Sequence, residues 1–383
     1  MDSRRSRPHE VVTVRFITQR VQTFMPFSYF GKSARAVALL AAALANLGVA
    51  SAGPALLFDP ADGLVLYAED QDDAWHPASL TKMMTAYLTF EALKQGKITL
   101  ATKFPVSELA HTQPPSKIGW PIGSELDVDH ALQALIVKSA NDVAVILAEG
   151  IAGTHDAFIE RMNSTAKRLG MTRTLFINPN GLPAPEQVTT ARDLAKLTRA
   201  ILTEYPQYTP MWSLNDIQVG RVRIRTHNQL LKAYDGADGM KTGFTCDSGY
   251  NVVATATRDG HKLAAVILGE PSGAARSLRA ANLLEHGFQY RAWQGVLQPV
   301  TLDTLELPPD VNAVATSVRQ FVPGPACGGR HERTVDKVKA RKKKLAMAQQ
   351  KADAVAKAVV PVTVPATKPA AAASPAAAPK AVN

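Results

Sequence analysis

Apolar residues fall along this chain either in short unbroken runs or at helical spacing, and the change from one to the other marks its elements. Ala55-Leu56-Leu57-Phe58 and Leu64-Val65-Leu66-Tyr67 flank Pro60-Ala61-Asp62-Gly63. Apolar run, turn and apolar run predict a β-hairpin. From Ser79 to Gln95 the pattern changes: Leu80, Met83, Met84, Tyr87, Leu88 and Leu93 recur at helical spacing, with Pro77 just before the entry. The Met and aromatic content of that stripe reads as core packing. Further helices are predicted over 128–150, 155–169 and Ala191–Leu202, while Asn178-Pro179-Asn180-Gly181-Leu182-Pro183 is dense in turn formers and predicts a loop. Strand signals return at Val219–Arg225, and Asn251–Thr257 and Lys262–Leu268 read as two strands joined by Arg258-Asp259-Gly260. A helix over Ala274–Glu285 closes the series. Strands first, helices in the middle, then strands and a helix describe an α+β protein whose sheet joins both ends of the folded segment.

Beyond Gln289 the periodicity fades. Residues 297–320 hold a few β-like runs, 323–329 is turn-rich, and 331–383 is a charged stretch of helix formers ending in an Ala/Pro-rich tail that cannot build a core. The expected organisation is 1–52, 53–290, a short extension at 291–330, and the basic low-complexity tail at 331–383.

Charge separates these parts. Of the formal net charge of +10, residues 1–52 carry +5 and residues 328–383 carry +9, which leaves −4 for 53–327. The basic balance therefore belongs to the ends and says little about what the core binds. At the N-terminal end, Lys32 and Arg35 precede the run Ala36–Val49, and Ala50-Ser51-Ala52 gives a small-x-small cleavage pattern. This predicts a signal peptide over 1–52, a mature start at Gly53 and an exported protein of the periplasm or cell envelope. The run is shorter than the roughly 20 residues of a spanning helix. The stretch before Met25 is long for a signal, and translation from Met25 leaves an ordinary one of 25–52. Arg341-Lys342-Lys343-Lys344 raises nucleic-acid binding; export argues against it and favours electrostatic contact of the tail with anionic lipid or wall polymer. Cys246 and Cys327 are the only cysteines. In an oxidising compartment they are candidates for a disulfide, the alternative being two unrelated small residues.

Three short strings carry the chemistry: Ser79-Leu80-Thr81-Lys82, Ser139-Ala140-Asn141 and Lys241-Thr242-Gly243. Ser79 and Lys82, three apart at a helix start, share one face, so the amine can take the hydroxyl proton. A serine alcohol is a poor nucleophile until a base removes that proton, and lysine serves as base only where its surroundings favour the neutral amine. A second cation nearby, Lys241, pushes in that direction. Ser139 offers a hydroxyl to shuttle a proton to a leaving nitrogen, and the Asn141 amide can hold both Lys82 and a substrate carbonyl. On an edge strand, Lys241 and Thr242 alternate with main-chain groups that can pair with an extended peptide, and Gly243 permits close approach. Taken singly, the strings read as an exposed helical pair, a helix cap and a strand with a surface lysine. In this order they form the nucleophile, relay and anion-holding parts of an acyl-transfer site.

With their flanks, Pro77–Thr85, Ser139–Ala144, Asn178–Leu182 and Asp238–Thr245, the strings resemble those of the serine D-Ala-D-Ala carboxypeptidases, the low-molecular-mass penicillin-binding proteins, over about 53–290. The resemblance implies a β-lactamase/transpeptidase-like fold, an antiparallel sheet flanked by helices with an all-helical subdomain, and no cofactor or metal. It implies attack by Ser79 on the bond between the terminal D-alanines of peptidoglycan pentapeptide stems, an acyl-serine intermediate, and covalent inhibition by β-lactam antibiotics. It places the oxyanion between the N–H groups of Ser79 and Phe244. The substrate carboxylate falls to Thr242, Thr245 and an arginine best matched by Arg276, with Arg279 one turn away as its rival. Many members continue into a β-rich domain and an amphipathic anchoring helix; the segment after 290 looks too short and too basic for both, so electrostatic surface association is expected in their place. A class A-like β-lactamase shares two of the strings but needs a Glu-x-x-Leu-Asn string, and none occurs. A non-catalytic wall-binding scaffold predicts a broken motif, and none is broken. A metallohydrolase lacks its ligands: the nine histidines include no His-Glu-x-x-His pair.

Overall fold

In the computed structural model, residues 53–291, 300–324 and 327 are described. The expected export segment and basic tail lie outside them. The sheet is antiparallel and five-stranded, in the order β2-β1-β9-β8-β7. It is built from β1 (Ala55–Phe58), β2 (Val65–Glu69), β7 (Ala237–Thr245), β8 (Gly249–Arg258) and β9 (His261–Glu270), and two small two-stranded sheets supply β3 (Lys103–Pro105) with β4 (Glu125–Asp127) and β5 (Asp216–Val219) with β6 (Val222–Arg225). β1 sits between β2 and β9, so the first strands of the folded segment are joined to its last ones.

The strand pattern explains the layers. Along β1, Leu56 and Phe58 point to the helical side and Ala55 and Leu57 to the other, and β9 divides likewise into Ala264, Val266 and Leu268 against Leu263, Ala265 and Ile267. Both faces are apolar because both are covered. One face receives the helix Gly273–Arg291 through Ala280 and Leu284. There Gly287 lies so close to Leu57 and Leu263 that a Cβ would meet each at 2.8 Å. The other receives the helical part: α1 (Lys82–Lys94), α2 (Asn141–Ala152), α3 (His155–Arg168) and α4 (Ala191–Glu204). The C-terminal helix Gly273–Arg291 is α5. α2 is buried from Asn141 to Ala148, as a helix apolar on every side must be. Burying each of its Val, Ile and Leu side chains stabilises the fold by roughly 1.5–3 kcal/mol.

The sequence pattern and the structure differ in two places. The stretch 128–150 is not one helix. A helix over Val128–Gln133 widens into a π-type turn over Ala134–Lys138 and stops at Ser139, whose φ of 59° and ψ of 39° are left-handed, and α2 starts afresh at Asn141. Apolar periodicity runs through this break because both halves face the same core. The strand at 219–225 is a hairpin, β5 and β6, turning at Gly220 with φ 56°. The extension, for which no fold was predicted, lies against the body over its described residues. Thr301 bridges to Leu64, Arg192 donates to the carbonyl of Glu306, and the N–H of Val318 donates to Asp247 O.

Candidate active site

Ser79 stands in a 3-10 turn, Ala78–Thr81, that runs directly into α1. Three elements fix this turn. Asn251 of β8 donates to the carbonyls of His76 and Pro77 at 3.0 and 3.3 Å. On β7, Gly243 approaches so closely that a Cβ would lie 3.1 Å from the Ser79 nitrogen. The loop at 178–183 closes the third side, where a Cβ on Gly181 would lie 1.9 Å from the Ala78 carbonyl oxygen. Only glycine fits at that position, and its φ of 82° favours glycine as well. Ala78 itself has φ 49°, a conformation that persists because all three neighbours hold it.

Lys82 Nζ lies 3.1 Å from Ser79 Oγ, donates to Asn141 Oδ1 at 2.8 Å and donates to the main-chain carbonyl of Asn180. Its side chain is 1% exposed. Burial, then the nearby Lys241 cation, hold its pKa well below the usual 10.5, while the Asp142 carboxylate opposes them. The Asp142 carboxylate is occupied with the backbone N–H groups of Ile118 and Gly119, which fastens the 114–119 loop beside the cleft. Asn141 completes that fastening by donating to the Pro114 carbonyl at 2.9 Å.

The break at 138–140 has a consequence for the site. By ending one helix in a left-handed residue, the chain turns the Ser139 hydroxyl to Lys241, whose Nζ donates to it at 2.9 Å and to the Thr242 carbonyl at 3.0 Å. Lys241 is buried, and burial followed by the Arg276 cation pushes its pKa down to about 7. Arg276, on the first turn of α5, is buried and sits over the Tyr250 ring at 5.9 Å, and burial lowers its pKa to about 10. His227 is pushed down as well, first by burial and then by Lys241, Lys138 and Arg276. Ser79, Ser139, Asn141, His227, Thr242 and Arg276 line a cleft of about 720 Å³.

Strand alternation divides the β7 residues. Thr242 pairs with Val252, on the α5 side, and Phe244 pairs with Tyr250 and packs on it with ring centroids 4.2 Å apart. Lys241, Gly243 and Thr245 take the other side. Thr242 thus shares a side with Arg276, whereas the Thr245 hydroxyl donates to Ser248 Oγ at 2.9 Å. Thr245 nonetheless lines the same cleft as Thr242 and Arg276. Cys246, next in the chain, is joined to Cys327 with Cα atoms 5.2 Å apart, tying the turn after β7 to the end of the extension. Arg279 lies elsewhere, bonded to Glu69 at 2.7 Å and Glu270 at 2.9 Å.

Sequence reasoning passed over Asn180, Asn251, His227 and Tyr250. Asn251 left a signal, as an amide opening an otherwise apolar strand. The Asn180 carbonyl left none, because any residue carries one.

The family model described as D-alanyl-D-alanine carboxypeptidase matches residues 41–272. The D-alanyl-D-alanine carboxypeptidase DacC of Escherichia coli is 36% identical over 242 residues, which are 61% of this chain and 60% of that protein. Among solved structures, penicillin-binding protein 5 of Haemophilus influenzae is similar with a TM-score of 0.60 and 36% identity, over 62% of this chain and 71% of that one. The ampicillin-bound penicillin-binding protein D2 of Listeria monocytogenes is similar with a TM-score of 0.57 and 29% identity, over 62% and 97%. The chain spans about three fifths of the length of the curated relatives it matches. Matched over more than half its length, with the nucleophile, relay and edge-strand strings inside the match, the chain belongs to the D-alanyl-D-alanine carboxypeptidase family.

Proposed function

We propose that this protein is an exported serine D,D-carboxypeptidase that removes the terminal D-alanine from peptidoglycan stem peptides and is inhibited covalently by β-lactams. One observation carries the reading: a buried amine, with no carboxylate bonded to it among the described residues, 3.1 Å from a serine hydroxyl. Such an amine favours the neutral form, so it can accept a proton at neutral pH.

The steps follow from the groups present. The free edge of β7 receives the peptide as an added antiparallel strand. Thr242 and the Arg276 fork hold its terminal carboxylate, and the N–H groups of Ser79 and Phe244 receive the carbonyl oxygen. The Ser79 proton passes to Lys82 Nζ as Oγ bonds to the carbonyl carbon. A proton then passes by way of Ser139 to the departing nitrogen, the peptide C–N bond breaks, D-alanine leaves, and an acyl ester remains on Ser79. Water attacks that ester, its proton returns through Lys82, and Ser79 is restored. Lys241, next to Ser139 and Thr242, supplies positive potential to the anion and keeps Lys82 neutral. A β-lactam follows the same first half, in keeping with the ampicillin bound to the Listeria monocytogenes relative.

Release of D-alanine from diacetyl-Lys-D-Ala-D-Ala, with labelling by fluorescent penicillin that is lost in Ser79→Ala, tests this function. Fast nitrocefin hydrolysis without D-alanine release would mean a β-lactamase instead. The periplasm or cell envelope is the proposed location, with residues 1–52 as export signal and the basic 331–383 tail touching anionic lipid or wall polymer. Among the described residues no helix is long and apolar enough to cross a membrane.

A further inference from the structure

Next to the catalytic cleft lies a second cavity, of about 280 Å³. Gly181, Leu182 and Thr245 line both spaces, so the two adjoin. Much of the second lining is aliphatic, from Pro77, Ala78, Pro183 and Pro185, and its ionisable groups are Asp247 and His76.

The direction of β7 determines which part of a substrate can reach this space. With the terminal carboxylate at Thr242 and Arg276 and the scissile carbonyl over Ser79, an antiparallel peptide runs its amino-terminal part past Phe244 and Thr245 toward Asp247. An extended chain advances ~3.3 Å per residue. The residue before the two D-alanines therefore comes level with Thr245, at the opening between the cavities.

Asp247 gives that opening its charge. Ser317 donates to Oδ1 at 2.8 Å, and Arg319 donates to Oδ1 at 3.1 Å and to Oδ2 at 2.9 Å. These bonds hold the carboxyl below its usual range. They take three of the roughly four acceptor sites of a carboxylate, and the Arg319 side chain is 55% exposed, so water screens its charge. His76 Nδ1 faces the Gln187 carbonyl at 3.0 Å; a neutral ring donating there offers Nε2 as a further acceptor.

We infer that this cavity takes the side chain of the residue preceding the two terminal D-alanines and selects an aliphatic chain ending in an ammonium group, with Asp247 as counter-ion. The inference rests on the carboxypeptidase reading above. Lysine and a diamino diacid share that chemistry.

Four Nα-acetylated tripeptides ending in D-Ala-D-Ala test it on the full chain, with norleucine, lysine, Nε-acetyl-lysine or meso-diaminopimelate in the first position. The expected kcat/KM for the lysine or the diaminopimelate peptide exceeds that for norleucine by about three- to tenfold, the range of a charge-assisted hydrogen bond at a partly exposed site. Acetylating the lysine amine removes the gain. In Asp247→Asn the ratio falls to within twofold of one, and because it compares substrates on one protein, a general loss of activity cancels. Ser317→Ala, which removes one of the bonds holding the carboxylate, narrows the ratio part of the way. Equal kcat/KM for all four peptides, or a ratio that survives Asp247→Asn, overturns the inference while leaving the carboxypeptidase reading in place. D-Alanine release from none of them overturns both.

Discussion

Arg276 and Arg279 lie one helical turn apart on α5, and their surroundings differ in kind. Arg279 is bonded to two carboxylates, Glu69 and Glu270. Arg276 is buried, with no carboxylate bonded to it among the described residues; it donates to the His227 carbonyl at 3.5 Å and lies over the Tyr250 face. The same contrast separates Arg192, which donates to Asp72 at 2.6 Å, from Lys82 and Lys241 in the cleft. A buried charge is costly to leave without a counter-ion, so the buried Arg276 beside Lys241, neither bonded to a carboxylate among the described residues, suits an anion that enters the cleft from outside, while Lys82 meets the same burial by favouring the neutral amine. Cations bonded to carboxylates hold the fold together; those left without them define the site.

Variants can break that contrast, and the largest effect falls on the nucleophile. Ser79→Ala removes acylation, a loss of about 10⁴-fold or more measured by penicillin labelling and D-alanine release, leaving only what binding and the oxyanion site provide. Lys82→Arg puts a fixed charge where the neutral amine stood and removes the base, because a guanidinium does not deprotonate. The expected fall in kcat is about 10²–10⁴-fold, the usual contribution of a general base.

Arg276→Ala leaves the substrate carboxylate without its fork. KM for a D-Ala-D-Ala peptide should rise about 30- to 150-fold, from the ~2–3 kcal/mol of a charged hydrogen-bonded contact in a partly buried site. Arg279→Ala is the matched control and should act on stability. It strands the buried Glu270, and the midpoint of thermal unfolding should drop by a few degrees for a loss of about 1–2 kcal/mol, with kcat/KM nearly unchanged. Equal kinetic damage from both variants would dissolve the distinction between them.

The subtlest test concerns charge at a distance. Lys241 lowers the pKa of Lys82, so removing that cation in Lys241→Ala raises it. Lys82 then stays protonated to higher pH, and the acid limb of the acylation rate should move upward by about one pH unit, as expected for a like charge nearby. A limb that stays in place would mean that burial alone sets the Lys82 amine.

Much of this arrangement was legible in the chain. The continuous apolar runs of β1 and β9 and the helical stripe of α1 follow from burial, and burial is written in side-chain polarity. The three motif strings were legible because a proton transfer needs fixed neighbours, and Ser79 and Lys82 are neighbours by helical spacing alone. The turn at 138–140 was legible only as far as Ser139-Ala140-Asn141 reads as a helix cap; its left-handed backbone was not. No Gly or Pro marks it, and Ser139 adopts a left-handed backbone through the packing of Ala134–Val137 and the pull of Lys241, both long-range. For the same reason the carbonyl of Asn180 stayed hidden: its role depends on the Lys82 side chain that reaches it from another element.

The mechanism depends above all on Lys82 being a neutral amine poised to take the Ser79 proton. Stopped-flow acylation of the wild-type protein by a chromogenic or fluorescent β-lactam, followed across pH, addresses this directly. A neutral Lys82 predicts an acid limb governed by a single base whose midpoint lies well below the ordinary lysine value of 10.5, with a rate that has levelled off before that value is reached. A rate that climbs only as pH approaches 10.5 would show an ordinary protonated lysine beside Ser79 and contradict it.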